Sequence, residues 1–332
     1  MKIAMANIIK NELKFLPTYL ERNKDVDYIC LLDTGSTDGS WEYLQEQAQL
    51  NPKLIIQQKL YEDFTFDVAK NDALTLVPDD TDIIVLLDID EWFQEENWVD
   101  IVREQLQVDG KRHFYSTPYV DHSTYSITGY PRITIVARII QTKHIKYFFP
   151  VHEILSADDW DRLGNRGREN IWWNQLIIQH TPDTSKDRSN YIPLCLRRIN
   201  TILPVEYDIE GEKIGSYGLL AHEYYRAGMY EQAVRVYNEH LMQDNDAKYD
   251  FSPNMYLITR DIQYIRNAIS ILEYEWYDQN VLYYALKDDL DWCRQYKDVI
   301  LQKINHYDHE FPERYHEEDI LGNMIKEMAK LL

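Results

Sequence analysis

The sequence predicts an α/β domain with a mostly parallel sheet over residues 1–185 and an all-α module over residues 186–332. Three observations carry this expectation. Strand and helix signals alternate through the first half of the chain, the mark of a parallel sheet with helices on both faces. Several apolar runs end abruptly in polar loops rich in carboxylates. From about Lys186 the apolar spacing is helical to the end.

In order, Lys2–Ile9 reads as the first strand and Asn11–Arg22 as a helix that tolerates Pro17. Tyr28–Leu32 is the second strand. It runs into the turn-rich loop Asp33–Ser40, where Ser36 or Asp38 can cap a helix from about Trp41 to Leu50. Leu54–Gln58 is a strand, Phe66–Leu76 a helix and Ile83–Leu87 a strand. The pattern then changes. Phe114–Tyr119, Ile133–Ile139, Ile145–Phe149 and Leu176–His180 are strands without crossover helices, a mixed-sheet extension of the core. Ala157–Glu169, polar and carrying Gly164 and Gly167, reads as a surface loop that orders when substrate binds. In the helical module, Tyr217, Gly218, Ala221, Tyr224, Ala227, Gly228, Tyr230, Ala233 and Tyr237 follow tetratricopeptide-like spacing, with Gly228 at the inter-helix turn. One such repeat is too few for a free-standing stack, and a plain helix pair explains the spacing equally.

Composition narrows the function classes. Hydrophobic residues make up 45% and charged residues 27% of the 332, a globular composition. The net charge of −21 argues against non-specific binding to nucleic acid or an anionic membrane, although a locally basic groove is compatible with it. The three cysteines, Cys30, Cys195 and Cys293, are too far apart for a zinc site or a disulfide framework. No segment reaches the ~18 uninterrupted apolar residues of a membrane span, so a reducing cytoplasm is the expected location.

The run Ile83–Glu91 is the most informative stretch: five apolar residues, then Asp88, Asp90 and Glu91. Such a run suits a strand buried on both faces, and ligand crevices lie beyond the carboxyl ends of these strands. Period-two alternation would put Asp88 and Asp90 on one side, where their repulsion calls for a divalent cation or bound hydroxyls. Solvated loop carboxylates are the plain alternative. Asp33 likewise ends a strand. Its carboxylate can accept from a nucleobase N–H or a ribose hydroxyl, or it can close an Asx turn. Asp121, in the Tyr-rich segment before Arg132, is a weaker candidate for a base.

Lys10-Asn11-Glu12, the run Leu31–Ser40, Asp63-Phe64 with Ala69-Lys70-Asn71, and Leu87-Asp88-Ile89-Asp90-Glu91 occur in the order seen in family 2 glycosyltransferases, and residues 2–182 resemble that family. With its helical C-terminal part, the chain resembles the branch of bacteriocin-peptide S-glycosyltransferases and is similar to enzymes of lipopolysaccharide-core assembly. The resemblance implies a GT-A fold, a UDP-sugar donor and a Mn or Mg ion. It implies that the backbone at Ala6 and Asn7 meets the nucleotide, with Glu12 near that pocket. It implies that Asp33 bonds the base, that Asp88 meets ribose or sugar hydroxyls, and that Asp90 binds the metal. Where the family usually has Ala-Arg-Asn this chain has Lys70, which keeps the charge without the planar fork.

The resemblance also implies roles further along. The Pro150-Val151-His152-Glu153 stretch would lie near the acceptor, with Glu153 as general base and His152 as an acceptor contact; a His–Glu pair packed at a sheet edge is the alternative. His180 would complete the metal site, or is a polar strand-end residue. Lys186, Arg188, Arg197 and Arg198 would steady the leaving diphosphate, or form ordinary ion pairs. The expected reaction is a single displacement with inversion, onto a peptide or protein, a glycan or a modified nucleobase. The helical module would position the acceptor or make a homodimer. Two other classes are weaker. A nucleotidyltransferase would show a Gly-rich phosphate loop, which Ala6–Lys10 lacks, and a degenerate scaffold that only binds a partner protein would have lost acidic residues that are all present. Trp172-Trp173 could line the sugar or acceptor site but is read as buried packing, and the histidines His306, His309 and His316 are read as solvated surface.

Overall fold

The computed structural model of the chain describes residues 1–108, 113–122, 132–141, 145–157, 169–183, 186, 188–201, 209–270, 279–310 and 319–332. The chain divides into two compact units. One is drawn mainly from Met1–Asp121 and Ile133–Ser185, the other mainly from Lys186–Leu203 and Tyr207–Leu332. Among the described residues no helix is long and apolar enough to cross a membrane.

The first unit is built on β1 (Ile3–Ile9), α1 (Leu16–Arg22), β2 (Tyr28–Asp33), α2 (Ser40–Leu50), β3 (Leu54–Gln58), α3 (Phe66–Leu74), β4 (Ile83–Val85), β5 (Glu91–Phe93) and α4 (Trp98–Gln105). It continues through β6 (His113–Asp121), β7 (Arg132–Gln141), β8 (Ile145–Phe148), β9 (Ile154–Ala157), β10 (Glu169–Trp172) and β11 (Ile178–His180). The main sheet has the order β3-β2-β1-β4-β7-β6-β11-β5, with β10 also on β6, while β8 and β9 form a separate hairpin. β1 pairs in parallel with β2 and β4, and β2 with β3. The β4–β7 and β11–β5 pairs are antiparallel.

Alternation along the strands explains the two cores. Ile3, Met5, Ile29, Leu31, Ile83 and Val85 share one apolar cluster with Leu16, Tyr19, Leu44, Trp98 and Val102 of the helices. Ala6, Cys30, Ile84 and Leu86 share another with Phe114, Ile145 and Tyr147. β1, β2 and β4 are therefore buried on both faces, as their continuous apolar runs require. Each large aliphatic side chain buried this way contributes about 1.5–3 kcal/mol.

Several expectations are corrected. The first helix starts at Leu16 rather than Asn11, because Asn11 has a left-handed backbone (φ 57°) and its side chain accepts the Thr37 N–H. Pro17 lies in the first turn, where its missing N–H costs nothing, and starts the helix instead of interrupting it. The fourth strand ends at Val85, not Leu87. Asp88 and Asp90 therefore do not alternate along a strand. The Glu91 N–H donates to the Asp88 carbonyl in a turn, and β5 follows at once. β5, α4, β9 and β10 were not foreseen. The expected loop Ala157–Glu169 lies, apart from its two ends, outside the described residues.

The second unit is helical: α5 (Tyr191–Ile199), α6 (Ile209–Arg226), α7 (Tyr230–Val236), a π-helical turn (Tyr237–Leu241), α8 (Asn245–Thr259), α9 (Gln263–Ile269), α10 (Gln279–Asp288), α11 (Leu290–Gln295), α12 (Lys297–Glu310) and α13 (Ile320–Ala329). α6 and α7 form a helix–turn–helix. Gly228 is left-handed (φ 71°) at the turn, and the Met229 N–H donates back to the Tyr224 carbonyl at 2.8 Å. Ala221 and Ala233 are fully buried.

Candidate active site

The site forms where the sheet changes direction. β1 lies between β2 and β4, but the β1–β4 ladder stops at the Met5–Val85 pair while β1–β2 runs on to Ile9–Asp33. The strands part around Ala6 and Asn7, opening the crevice expected at a switch point. Ala6 is buried. Asn7 fills the gap, and its Nδ2 donates to the Leu87 carbonyl at 2.6 Å and to Asp88 Oδ1 at 3.3 Å.

Asp33 ends β2 and is fully buried. Its Oδ1 accepts the N–H groups of Gly35 (2.9 Å) and Ser36 (3.1 Å) and the Gln58 amide (2.9 Å). The Asx turn is thus real. Among the described residues Oδ2 has no hydrogen-bond partner, an orphaned acceptor that burial makes costly. The loop is stitched to the end of β1 by Thr34 on the Ile9 carbonyl and by Ser36 Oγ accepting the Asn11 N–H. Asp38 accepts the Leu13 N–H, and Ser40 Oγ accepts the Glu12 N–H. Glu12 is buried, and its carbonyl takes the Phe15 and Leu16 N–H groups at the entry to α1.

Asp88 sits between two cations. Lys70 Nζ is 3.8 Å from Oδ1 and Arg138 Nη2 is 3.5 Å from Oδ2. Burial alone would raise its pKa; Lys70, Arg138 and the Asn7 amide override that and hold it at about 2. Lys70, on α3, also reaches Glu153 Oε2 at 3.2 Å. Burial works against its ammonium, but Asp88 and Glu153 outweigh it and keep the lysine above its ordinary value. α3 is tied to the hairpin that leads to Glu153. Asn71 bonds both backbone groups of Tyr147 at 2.8 Å, and the Phe66 N–H donates to the Pro150 carbonyl at 2.9 Å. Phe149 (φ 79°) and His152 (φ 51°) are both left-handed, so the stretch that presents Glu153 holds strained backbone.

Two residues that sequence reading passed over complete this cluster. Glu91 is buried, with Oε1 accepting Arg138 Nη2 at 2.7 Å and Oε2 accepting the Asp88 N–H at 2.9 Å. Glu91 was visible as the third carboxylate of its run. Arg138 carried no local signal, since the register that brings β7 against β4 is not written in either strand alone.

Asp90 faces elsewhere. Its Oδ2 is 3.7 Å from His180 Nε2, and the Thr181 N–H donates to its carbonyl at 3.1 Å. His180 Nδ1 lies 2.9 Å from Asp121 Oδ1. Burial lowers the His180 pKa, but Asp121 and Asp90 reverse this and push it up to about 10. Among the described residues no three His, Cys, Asp or Glu side chains converge on one point. A carboxylate and an imidazole still make a donor set that suits Mn, or Mg, which keeps waters and substrate phosphates in its shell.

The sequence-predicted residues therefore fall into three groups. Asn7, Lys70, Asp88 and Glu153 share one cluster, Asp90, His180 and Asp121 another, and Asp33 with Glu12 anchors the loop beside β1. Of the basic residues expected to steady the diphosphate, Arg188 pairs with Glu223 at 2.8 Å and Arg198 Nε donates to Ser216 at 3.1 Å, both within the second unit. Trp173 packs on the core, whereas Trp172, expected to be buried, is 40% exposed. The side chains of His306 and His309, and all of His316, lie outside the described residues. Burial pushes the Cys30, Cys195 and Cys293 thiols up to about 12, which leaves them unreactive.

Residues 8–156 match the family described as Glycosyl transferase family 2. That match lies within the α/β unit, whose mixed GT-A-type sheet is followed by a helical region. No curated protein matches the chain by sequence. Solved structures similar to it include S. aureus TarS (12% identity, 88% of this chain and 54% of that chain, TM-score 0.37). Another is S. aureus TarS 1–349 in complex with UDP (11%, 93% and 91%, TM-score 0.38). A third is the mannosyltransferase PcManGT from Pyrobaculum calidifontis in complex with GDP-Man and Mn2+ (13%, 82% and 87%, TM-score 0.40). The chain spans about half the length of the first of these.

Proposed function

We propose that the protein transfers a sugar from a nucleotide-diphosphate donor, a UDP-sugar, with inversion at the anomeric carbon and with help from a divalent cation. The observation that carries this reading is the position of Lys70, whose one ammonium faces both Asp88 and Glu153, residues far apart in sequence. Donor-side and acceptor-side carboxylates are thereby neighbours, as a single displacement requires. Asp33 Oδ2 is the acceptor for a base N–H, and the groups that cover it must shift to admit the base. Asp88 receives ribose or sugar hydroxyls. Glu153 takes the proton from the attacking acceptor as the new bond to the anomeric carbon forms and the bond to the diphosphate breaks. His152 lies beside it as an acceptor contact.

Asp90 and His180 would hold Mn or Mg, which when bound offsets charge on the departing diphosphate. Lys70, drawn off Glu153 by the donor, adds a second positive charge there. The helical unit is assigned to acceptor binding or to a homodimer. The acceptor classes carried forward are a peptide or protein, a glycan and a modified nucleobase.

The first test is thermal: UDP, GDP and TDP, each with Mn2+. A nucleotide at 100 times its dissociation constant stabilises the protein by about 2.7 kcal/mol, and at equal concentrations UDP should shift the melting temperature most. No shift with any of them overturns the donor assignment. An equal shift in Asp90→Ala overturns the metal assignment. Incubation with labelled UDP-sugars and each acceptor class, read by mass spectrometry, then identifies the acceptor.

A further inference from the structure

We propose that Asp121 is a positioning residue for the divalent cation: its carboxylate takes the Nδ1–H of His180, so that the ring nitrogen left to ligate the cation is Nε2, which faces Asp90. This rests on the metal reading above and revises the expectation that Asp121 serves the acceptor as a base.

The argument starts from strand register. β11 pairs in parallel with β6 and antiparallel with β5, so His180 lies opposite Asp121 on one side and Glu91 on the other. The ladder places the imidazole and the Asp121 carboxylate side by side at 2.9 Å, within direct hydrogen-bond distance. On the far side of the ring, Nε2 is 3.7 Å from Asp90 Oδ2, too long for a hydrogen bond and short enough for one ion to touch both atoms. The ring is held in orientation by Tyr119, whose centroid is 5.4 Å away on the same strand as Asp121. The Thr181 N–H on the Asp90 carbonyl at 3.1 Å fixes the spacing between the two ligand-bearing segments.

One ring nitrogen on a carboxylate and the other turned to a second acidic group is the arrangement that orients a metal-bound histidine. An imidazole that ligates a cation is neutral, with one N–H and one lone pair. A hydrogen bond at Nδ1 decides that the lone pair is at Nε2. Without Asp121 the ring is free to take the other tautomer, which turns an N–H toward the cation. A base acting on the acceptor would instead need its carboxylate directed at the acceptor, and here it is directed at His180.

The test is Mn2+ affinity, measured by the loss of the free-ion paramagnetic resonance signal, with and without UDP. In Asp121→Asn the affinity should fall about 10–100-fold. Asp121→Glu, which keeps the charge, should recover part of it. Long-range nitrogen–proton spectra with Mg2+ should show the Nδ1–H tautomer of His180 in the parent and lose it in Asp121→Asn. Parent-like Mn2+ affinity in Asp121→Asn overturns the proposal, and does so most clearly if sugar transfer nonetheless collapses, because Asp121 would then act on the acceptor. If His180→Ala binds Mn2+ as the parent does, the metal reading itself fails. The two failures are therefore separable.

Discussion

The Glu91–Arg138 pair offers the sharpest test of how the candidate site is held. The Glu91 side chain is 1% exposed, and Arg138 is the cation paired with it, at 2.7 Å. Replacing Arg138 with Met leaves a buried carboxylate whose remaining partner is the Asp88 N–H, with the Asp88 charge repelling it. Breaking a buried pair in this way costs about 3–5 kcal/mol. Replacing both partners, Glu91→Met with Arg138→Met, removes the stranded charge and should be far closer to neutral.

The pH dependence has a definite sign. Burial already raises the Glu91 pKa, with Asp88 adding to the rise and Arg138 opposing it. Loss of Arg138 raises it further. A group whose folded pKa lies above its unfolded value binds more protons when folded, so stability falls as pH rises through that window. The Glu91 part of the Arg138→Met deficit should thus be full above the variant's folded Glu91 pKa and vanish below the ordinary glutamate range, leaving the part that comes from Asp88, which Arg138 holds low. The assay is denaturant unfolding at pH 7.5 and pH 5, followed by the fluorescence of buried Trp98 in the α/β unit. Equal stability of the single and double variants at pH 7.5, within about 0.5 kcal/mol, would refute the argument.

Three further outcomes are expected. Asp33→Asn keeps an acceptor for the Gly35 and Ser36 N–H groups but turns an amide into the Oδ2 position, so UDP affinity by calorimetry should fall roughly 10–100-fold with a small change in melting temperature. Lys70→Met should lower kcat/KM for the donor by a similar factor, because Asp88 and Glu153 lose their shared cation, and Lys70→Arg should retain most of it. Gly35→Ala should cost about 1–2 kcal/mol in thermal unfolding. Gly35 is left-handed (φ 106°), and an added Cβ would meet Leu60 Cδ2 at 2.8 Å. Leu60 is exposed and can swing aside, so Leu60→Ala should not rescue the variant.

What was legible in the sequence follows from where each signal resides. Ile83–Val85 and Tyr28–Leu32 are continuous apolar runs, and a strand buried on both faces must be written that way. Asp33 was legible because strand, Asx turn and Gly35 are contiguous. The short strands were not. Glu91–Phe93 has three residues, too few to show a period, and is a strand only because β11 lies opposite it. α4 could have been found, since Trp98, Val99 and Val102 carry helical spacing and pack together in one core. The contacts of Lys70 with Glu153 and of His180 with Asp121 join residues far apart in the chain, and no local pattern encodes them. Period-two reasoning failed at Asp88 and Asp90 because the chain turns between them, and that turn is what lets the two aspartates face different partners.

That divergence bears on the division of labour between them. Two carboxylates two residues apart would compete for one cation if they shared an environment. They do not. Asp88 already has an ammonium at 3.8 Å and a guanidinium at 3.5 Å, and these hold it ionised without a metal. A divalent cation at Asp88 would have to approach Lys70 and Arg138 and would be repelled by both. Asp90 faces an imidazole, which can give up its Nε2 proton to a metal, as the cations beside Asp88 cannot. The charge pattern therefore supports assigning the ion to Asp90 and neutral hydroxyls to Asp88, on grounds independent of motif order. If the assignment holds, Asp90→Asn should weaken Mn2+ binding in the resonance titration far more than Asp88→Asn. The reverse ranking would show that Lys70 and Arg138 move away when the donor arrives.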